Sequence, residues 1–372
     1  MKPTKLTITI CMLALLLLGG CSNTQTSESS QTAKPLVFGV VLPLTGTNAF
    51  YGAFTKAGAK LAVEEINKAG GVDGRVVKAI YEDAPDKTAA TTAAKKLIEL
   101  DGADALFAML TPMAGASAPV AEESGVPLVY WSPSTSFSVG KKYVFQDYFD
   151  AAGTCELLMR QALESGQTKV AIFGVQAEVS QLCKQGAERI AAVSTYETYN
   201  TGDSDFKTQF TKIGQDKPDA IILSTFAPDC KNAFKQVREL GIESTLLLPY
   251  ADTACGTKEN TETNLDLLKG AYGAGWDVDE DSTDPLFLDF KSKINSRGGT
   301  TQMAGSVIIY DSIKTMAKAY SGCEDAKCAA DNLREMHAFP GITGPISYDG
   351  RQTVGRGLMM TKLEDGKWNK VK

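Results

Sequence analysis

The chain has 372 residues, a hydrophobic content of 43% and a charged content of 22%, which are ordinary values for a globular protein and leave room for two domains. Its formal net charge is −6 at pH 7. Because no cluster of Lys and Arg and no basic stripe with interleaved aromatic residues occurs, we do not expect nucleic acid as a partner.

Residues 1–20 have the pattern of a secretory signal peptide. Lys2 and Lys5 are their only charged residues, and an apolar core runs from Ile8 to Leu18. This core is too short to be a membrane-spanning helix of a mature protein. Removal of the two lysines with the signal changes the net charge from −6 to −8.

The end of the signal, Leu18-Gly19-Gly20-Cys21, resembles a bacterial lipobox, in which the cysteine is acylated and becomes the new N-terminus. An ordinary signal peptide with a chance cysteine is the alternative. Residues 21–35 are rich in Ser, Thr and Gln, and this composition predicts a flexible tether. We therefore expect an exported protein that a lipid at Cys21 anchors to a membrane, in the periplasm or on the outer face of the cell membrane.

Strands and helices alternate after the tether. An apolar strand is predicted over Leu36–Leu42, and apolar residues at helical spacing predict a helix over Tyr51–Ala69. A second strand follows over Val76–Tyr81, and Asp86 is predicted to cap the next helix. This order indicates a doubly wound α/β sheet.

The stretch from Ala103 to Phe137 contains two apolar strands, each followed by a polar loop, Thr111–Ser117 and Ser132–Ser136. The carboxyl ends of parallel strands meet at one edge of a sheet, so both loops are expected to contribute to a ligand site. Neutral hydroxyls and backbone N–H groups at helix N-termini suit a small anion. The candidate contacts are Thr111, Ser132 and Ser134.

Two alternatives apply to these hydroxyl groups. Each can be a solvated loop residue rather than a ligand contact. Ser117 in particular is interpreted as a helix cap. Pro119 follows it, and proline is favoured at positions just inside the start of a helix.

The alternation of strands and helices starts again near residue 153. A unit that begins at Asp219 repeats the unit that begins at Asp104, in order and nearly in length, with 22 and 21 residues from the aspartate to the glycine that ends the helix. We therefore predict two similar lobes, with the last part of the chain completing the first lobe and then returning to the second.

Six cysteines remain after Cys11 leaves with the signal and Cys21 becomes the anchor. An even number in an exported chain indicates disulfides, and six cysteines allow fifteen pairings. A zinc site is the weaker interpretation, since no CxxC motif occurs and His337 is the only histidine. Pairs of neighbours along the chain are favoured, which are Cys155–Cys183, Cys230–Cys255 and Cys323–Cys328.

Several stretches together resemble the type I periplasmic binding proteins. They are LVFGVVLPLTG from Leu36, the Tyr51-Gly52 pair, KAGAKLAVEEINKAGGVDGRVV from Lys56 and YEDAPD from Tyr81. The resemblance is to the leucine/isoleucine/valine-binding group, the solute receptors of branched-chain amino-acid ABC importers. It implies two Rossmann-like lobes, joined by three crossover segments, that clamp a ligand in the cleft between them.

This resemblance implies a lobe 1 of residues 36–150 and 275–345 and a lobe 2 of residues 151–274 and 346–372. It also implies a binding protein that passes a small amino-acid-like, carboxylate or amide ligand to an ABC permease complex in the membrane. We expect a monomer without a cofactor. The crossovers would fall near Gln146–Gly153, Ala271–Trp276 and Gly344–Asp349.

The resemblance also assigns roles to residues of the first lobe. Thr111, Ser132 and Ser134 take the positions that hold the ligand's α-carboxylate and ammonium groups. Tyr51 matches an aromatic residue beside the ligand's side chain, with packing at the start of a helix as the alternative.

The second lobe departs from the family's pattern. Tyr250 stands where the amino-acid binders carry an acidic residue for the ammonium group, and Asp252 is a substitute two residues further on. Phe226 lies near another aromatic position of the family. The family also has a tyrosine beside the pocket in the second lobe. This chain has no tyrosine at the corresponding position, which lies near Val179 with Glu178 next to it.

Two other functions stay open. An enzyme is not expected, because no GxSxG, HExxH or P-loop motif occurs and His337 lacks an evident partner, although a paired-carboxylate site is possible in an acidic chain. A lipoprotein that senses a ligand and presents it to a membrane receptor is the second alternative, since sensing and transport both need only a closing cleft.

Overall fold

The computed structural model describes residues 34–46, 48–148, 151–225, 227–251, 254–276, 282–299, 304–342, 344–350, 352–356 and 358–371. The strands are β1 (Leu36–Leu42), β2 (Val77–Asp83), β3 (Ala105–Met109), β4 (Leu128–Trp131), β5 (Val144–Gln146), β6 (Val170–Val175), β7 (Tyr196–Tyr199), β8 (Ala220–Ser224), β9 (Thr245–Pro249), β10 (Tyr272–Trp276), β11 (Phe339–Gly341), β12 (Gly344–Ser347), β13 (Gly355–Arg356), β14 (Leu358–Glu364) and β15 (Lys367–Lys370).

Helices connect most of these strands. They are α1 (Ala49–Lys68), α2 (Lys87–Glu99), α3 (Thr111–Ser124), α4 (Ala151–Glu164), α5 (Glu178–Glu188), α6 (Lys207–Asp216), α7 (Ala227–Glu239), α8 (Lys258–Glu262), α9 (Pro285–Asn295), α10 (Ala304–Ala319) and α11 (Ala326–Arg334). Of the helices in the described part of the chain, none is long and apolar enough to cross a membrane.

Two large sheets share one strand order. The first is parallel throughout, in the order β2-β1-β3-β4-β5. The second repeats it as β7-β6-β8-β9-β10 and adds β14 and β15 as antiparallel strands beyond β10. The predicted α/β fold with two similar lobes is therefore confirmed. A small antiparallel sheet contains β11, β12 and β13.

Asp104 and Asp219, which begin the two similar sequence units, also make equivalent contacts. The Asp104 carboxylate accepts a hydrogen bond of 2.7 Å from the backbone N–H of Val37, in β1. The Asp219 carboxylate accepts bonds of 2.9 Å from the backbone N–H groups of Thr168 and Lys169, immediately before β6. Each aspartate thus holds the start of the strand beside it.

Both sheets are covered on their two faces, as parallel sheets require. In the first lobe, α1 and α9 to α11 share one core with the sheet, and α2 and α3 build the core of the opposite face. In the second lobe, α6 and α7 cover one face, where Phe173, Phe206 and Phe210 form an aromatic cluster. Helices α4 and α5 cover the other face.

The predicted loop Thr111–Ser117 is wrong, because these residues form the first turns of α3. Ser117 is consequently a buried residue inside the helix rather than a cap, and Pro119 also lies within the helix. The cause is Leu110, whose backbone has φ 63° and ψ 147°. This conformation turns the chain sharply, so that the helix begins directly after β3.

The second and third crossovers lie later along the chain than predicted. Strand β10, which was predicted as a crossover, pairs with β9 and β14 and so belongs to the second lobe up to Trp276. Ile346, Tyr348 and Val354 pack in the core of the first lobe, although residues 346–372 were predicted for the second. The chain rejoins the second sheet only with β14.

Candidate ligand-binding cleft

The strand order creates one reversal point in each lobe. The chain passes from β1 to β2 on one side and then crosses back to β3 on the other side of β1. In the second lobe it passes from β6 to β7 and crosses back to β8 in the same way. In open parallel sheets a crevice forms beyond the carboxyl ends of the strands at such a point. Helices α1 and α3 start there in the first lobe, and α5 and α7 start there in the second.

The three predicted hydroxyl contacts lie together in one hydrogen-bonded network. The Thr111 and Ser132 hydroxyl oxygens are 3.0 Å apart. The backbone N–H of Ser134 donates to the Ser132 hydroxyl at 3.2 Å, and the Ser134 hydroxyl is 2.8 Å from that of Ser136. Ser132 and Ser134 are only 1% and 3% exposed. Because Ser132 and Ser134 are buried, their burial favours the interpretation as ligand contacts over the alternative that they are solvated loop residues.

Two neighbours hold the serine loop in this conformation. The Gln146 side-chain amide donates to the carbonyl of Ser132 at 2.7 Å, and the Tyr130 hydroxyl donates to the carbonyl of Ser134 at 2.8 Å. Burial raises the pKa of Tyr130 above its ordinary value, so the hydroxyl keeps its proton and remains a donor. The loop is therefore preorganised by contacts from β4 and β5.

The N-terminus of α3 faces this network through its first residue, Thr111. No side chain caps the helix and no acidic residue lies in its first turn. The unsatisfied N–H groups and the positive end of the helix dipole favour an anion at this end. The backbone of Leu110 lies in a region that is nearly restricted to glycine, and such strain of about 1–3 kcal/mol concentrates at functional sites.

An aromatic wall adjoins the hydroxyl network. The rings of Tyr51 and Trp131 lie 6.4 Å apart with an interplanar angle of 66°, and those of Trp131 and Tyr148 lie 5.6 Å apart. Trp131 packs against the cores of both lobes. Its Nε1 is buried without a hydrogen-bond partner in the described residues. The sequence pattern did not single out Trp131, although an aromatic residue directly before the serine loop was the available signal.

A cavity of about 20 Å³ is lined in part by Trp131. Thr55, Met109, Gly305 and Ile308 contribute to its walls. Ordinary ligand pockets have volumes of roughly 300–1,000 Å³, so this cavity is too small to hold a ligand in this conformation.

Tyr250, the predicted contact at the acidic position of the second lobe, is 2% exposed and packs in that lobe's core. It directly follows β9 and has a positive φ of 56°. Of the other predictions, Phe226, Asp252 and the predicted lipidation site Cys21 lie outside the described residues.

In the described part of the chain, three disulfides join the pairs Cys155–Cys183, Cys230–Cys255 and Cys323–Cys328. The Cys230–Cys255 bond connects α7 to the segment that follows β9. The Thr225 hydroxyl, at the end of β8, lies 2.9 Å from the sulfur of Cys255. This disulfide therefore ties the first turn of α7 to the segment after β9 at the cleft edge of the second lobe.

Glu178 connects the second lobe to the serine loop of the first. It is the first residue of α5, and its carboxylate accepts a hydrogen bond from the Ser134 hydroxyl. The start of α5 is fixed beside the end of β8 by Ser180, whose hydroxyl donates to the carbonyl of Ser224 at 3.1 Å. The sequence pattern placed Glu178 near the pocket without assigning it a contact, because its partner is distant along the chain.

Comparison with known proteins identifies the family. Residues 35–367 match the family model described as Periplasmic binding protein. The chain belongs to this family. The family consists of solute-binding proteins, so the protein is a binding protein rather than an enzyme.

Individual relatives are similar over nearly the whole chain. The Leu/Ile/Val-binding protein homolog 1 of Brucella abortus (strain 2308) is 24% identical over 363 residues, covering 90% of this chain and 93% of that protein. LivJ of Streptococcus pneumoniae, a branched-chain amino acid transporter substrate binding protein solved with isoleucine, has a TM-score of 0.74 at 20% identity, covering 91% and 99% of the two chains. An ABC transporter solute binding protein from R. palustris, solved with 4-hydroxybenzoate, has a TM-score of 0.73 at 20% identity, covering 91% and 96%.

Proposed function

We propose that this chain is an extracytoplasmic solute-binding lipoprotein of an ABC importer. It clamps a small amino-acid-like, carboxylate or amide ligand between its two lobes and delivers the ligand to a membrane permease. The observation that carries the proposal is the hydroxyl network of the exposed Thr111 and the buried Ser132 and Ser134, which lies at the N-terminus of α3 and contacts Glu178 of the other lobe. The lipid anchor at Cys21 is part of the proposal and rests on the sequence.

The chemistry of the first lobe suits a ligand carboxylate. Hydroxyl groups and the N-terminus of α3 supply neutral donors, which stabilise an anion without a buried cation. Isoleucine and 4-hydroxybenzoate, the ligands of the two similar structures, both combine a carboxylate with an apolar body. Tyr51 and Trp131 provide an aromatic surface for such a body, because they lie at the same edge of the sheet as the hydroxyls.

The position of Trp131 supports a clamp. Because this side chain packs against the cores of both lobes, it lies at the surface along which the lobes meet. Rotation of the lobes about the crossovers would open this surface to a ligand and close it again, which is the hinge motion of two-lobed binding proteins. The closed form then presents both lobes together to a permease.

A thermal-shift screen of the purified protein tests this function. The panel contains amino acids, small amides, and aliphatic and aromatic carboxylates. A ligand at 100 times its Kd stabilises the folded protein by about 2.7 kcal/mol, and so raises Tm. We expect Thr111→Val and Ser132→Ala to weaken this shift, and Ser296→Ala, which changes an exposed serine directly after α9, to preserve it. A panel in which no compound raises Tm would contradict the proposal.

A further inference from the structure

Two segments of the second lobe meet at its cleft edge and are joined by a disulfide. One is the first turn of α7, which contains Cys230, and the other is the segment after β9, which contains Cys255. Both cysteines are 0% exposed. Each segment follows the carboxyl end of a strand of the second sheet, which is where open parallel sheets bind ligands. The disulfide therefore joins two segments of one wall of the proposed cleft.

The segment after β9 is folded tightly on itself. The backbone N–H of Ala254 donates to the carbonyl of Tyr250 at 2.8 Å, and a Cβ atom added to Gly256 would lie 2.7 Å from that of Ala251. Tyr250 has a positive φ of 56°, which is uncommon for a residue other than glycine and persists only where the surroundings enforce it. The position of Cys255 in this fold therefore bears on the position of Tyr250.

The first turn of α7 is held by two contacts. The Tyr199 hydroxyl, at the end of β7, donates to the Asp229 carboxylate at 2.6 Å. The second contact is the disulfide, and the Thr225 hydroxyl, directly after β8, lies 2.9 Å from the sulfur of Cys255 and 3.5 Å from that of Cys230. The junction of β8 and α7 and the segment after β9 thus share one set of contacts around the disulfide.

We infer that the Cys230–Cys255 disulfide is a positioning element of the ligand site, which holds the start of α7 and the segment after β9 in their ligand-binding arrangement before a ligand arrives. This inference rests on the proposed function. Without the cross-link the two segments would sample other arrangements, and ordering them on binding would weaken affinity. The apparent Kd rises as the populated fraction of the binding-competent arrangement falls.

General stabilisation of an exported protein is the alternative role, because disulfides restrict the unfolded chain. The Cys155–Cys183 disulfide is a matched control. It lies in the same lobe, its cysteines are also 0% exposed, and its sequence separation is 28 residues against 25. It joins α4 to α5, and the start of α5 has a contact of its own, because the Ser180 hydroxyl donates to the carbonyl of Ser224 at 3.1 Å.

The experiment compares the full chain, purified in detergent, with the double variants Cys230→Ala/Cys255→Ala and Cys155→Ala/Cys183→Ala. The probes are leucine, isoleucine and 4-hydroxybenzoate. Calorimetric titration measures Kd, and stopped-flow tryptophan fluorescence measures the association and dissociation rates.

We expect loss of the Cys230–Cys255 disulfide to raise Kd about 10-fold through slower association, because a smaller fraction of the free protein is competent to bind. The dissociation rate stays unchanged, since the bound arrangement keeps its contacts. Loss of the Cys155–Cys183 disulfide lowers Tm to a similar extent, because the two closed loops are of similar length, but it leaves Kd and both rates unchanged.

Hydrogen exchange of the ligand-free chain tests the same inference without a probe. Loss of the Cys230–Cys255 disulfide should speed exchange of the backbone N–H groups of residues 231–234 and 254–257, because local opening becomes easier. The control variant should leave these rates unchanged. This measurement decides the inference even where none of the probes binds, whereas absence of binding counts against the proposed function.

Three results would overturn the inference while the proposed function stands. They are equal Kd values in the two double variants, a raised Kd that comes from faster dissociation, and unchanged exchange in the two segments. If the alanine pair does not fold, Cys230→Ser/Cys255→Ser replaces it, because serine hydroxyls keep polar partners for Thr225. Failure of both pairs to fold, measured by circular dichroism, would also overturn the inference, because the disulfide would then be a requirement for folding.

Discussion

Leu110 shows how a single residue positions the candidate site. Its positive φ turns the chain from β3 into α3 without an intervening loop, and this brings Thr111 within 3.0 Å of Ser132. A leucine carries no local signal for this conformation, which glycine adopts far more readily. For this reason the sequence pattern assigned Thr111 to a loop, whereas it is the first residue of α3.

Ser117 and Ser180 form a natural pair for a stability test at the residue scale. Both are 0% exposed. The Ser117 hydroxyl has no partner in the described residues, whereas the Ser180 hydroxyl contacts the carbonyl and hydroxyl of Ser224 at 3.1 Å each. A buried hydroxyl without a partner is destabilising, and alanine is the better helix former.

We therefore expect Ser117→Ala to raise the free energy of unfolding by about 0.5–1 kcal/mol and Ser180→Ala to lower it by about 1 kcal/mol. Urea denaturation of both variants measures the two changes. Destabilisation by Ser117→Ala would mean that its hydroxyl is satisfied in solution.

At the scale of elements, α1, α9 and α10 are joined through Glu65. Its carboxylate accepts hydrogen bonds of 2.8 Å from Lys293, 2.5 Å from Tyr310 and 3.0 Å from Lys314. Burial alone would raise the pKa of Glu65, but these contacts outweigh burial and lower the pKa from 4.5 to about 2. The ionised carboxylate thus stabilises the packing of three helices.

This depressed pKa predicts a dependence of stability on pH. The contribution of Glu65 is complete above about pH 4.5 and is lost as the pH falls towards 2, since the folded state must then be protonated. We expect Glu65→Gln to lower the free energy of unfolding at pH 7 by about 1–2 kcal/mol, after allowance for solvent screening.

Denaturation of the unchanged chain and of Glu65→Gln at several pH values measures this effect, and the difference between the two should shrink with acidification. The matched control is Glu64→Gln, because Glu64 is 56% exposed in its pair with Arg297 and should contribute within about 0.5 kcal/mol. A difference that stays constant from pH 7 to pH 2 would exclude this role of Glu65.

At the scale of the molecule, the two lobes repeat one topology and are connected at the cleft by the contact between Ser134 and Glu178. Ligand binding should draw the lobes together, because the ligand gains its full set of contacts only when both lobes close on it. We expect small-angle scattering to show a smaller radius of gyration at ligand saturation.

The control for this closure is Ser132→Ala under the same conditions, which should retain the larger radius because it binds the ligand weakly. An unchanged radius for the ligand-saturated protein would argue against a clamp.

Local pattern was sufficient for the α/β alternation and the two similar lobes, while the ligand contacts of the first lobe stay a prediction. Apolar runs specify strands that are buried on both faces, and Asp104 and Asp219 stand at equivalent places in two similar units, although the N–H groups that they bind lie 67 and 51 residues earlier in the chain. The later crossovers were not predictable in this way, because Ile346 and Tyr348 join the first core through contacts with residues far along the chain.

The sequence assigned no role to Trp131 or to Glu178. Their places in the cleft depend on contacts with residues that are far away along the chain. Trp131 is ordinary as the last residue of a strand until the cores of both lobes pack against it. Glu178 is an ordinary first-turn acid until folding places the hydroxyl of Ser134, 44 residues away in sequence, against its carboxylate. The spacing of apolar residues predicts which side chains are buried within one lobe. A contact between the lobes, such as the one between Ser134 and Glu178, forms only when the surfaces of the two folded lobes meet.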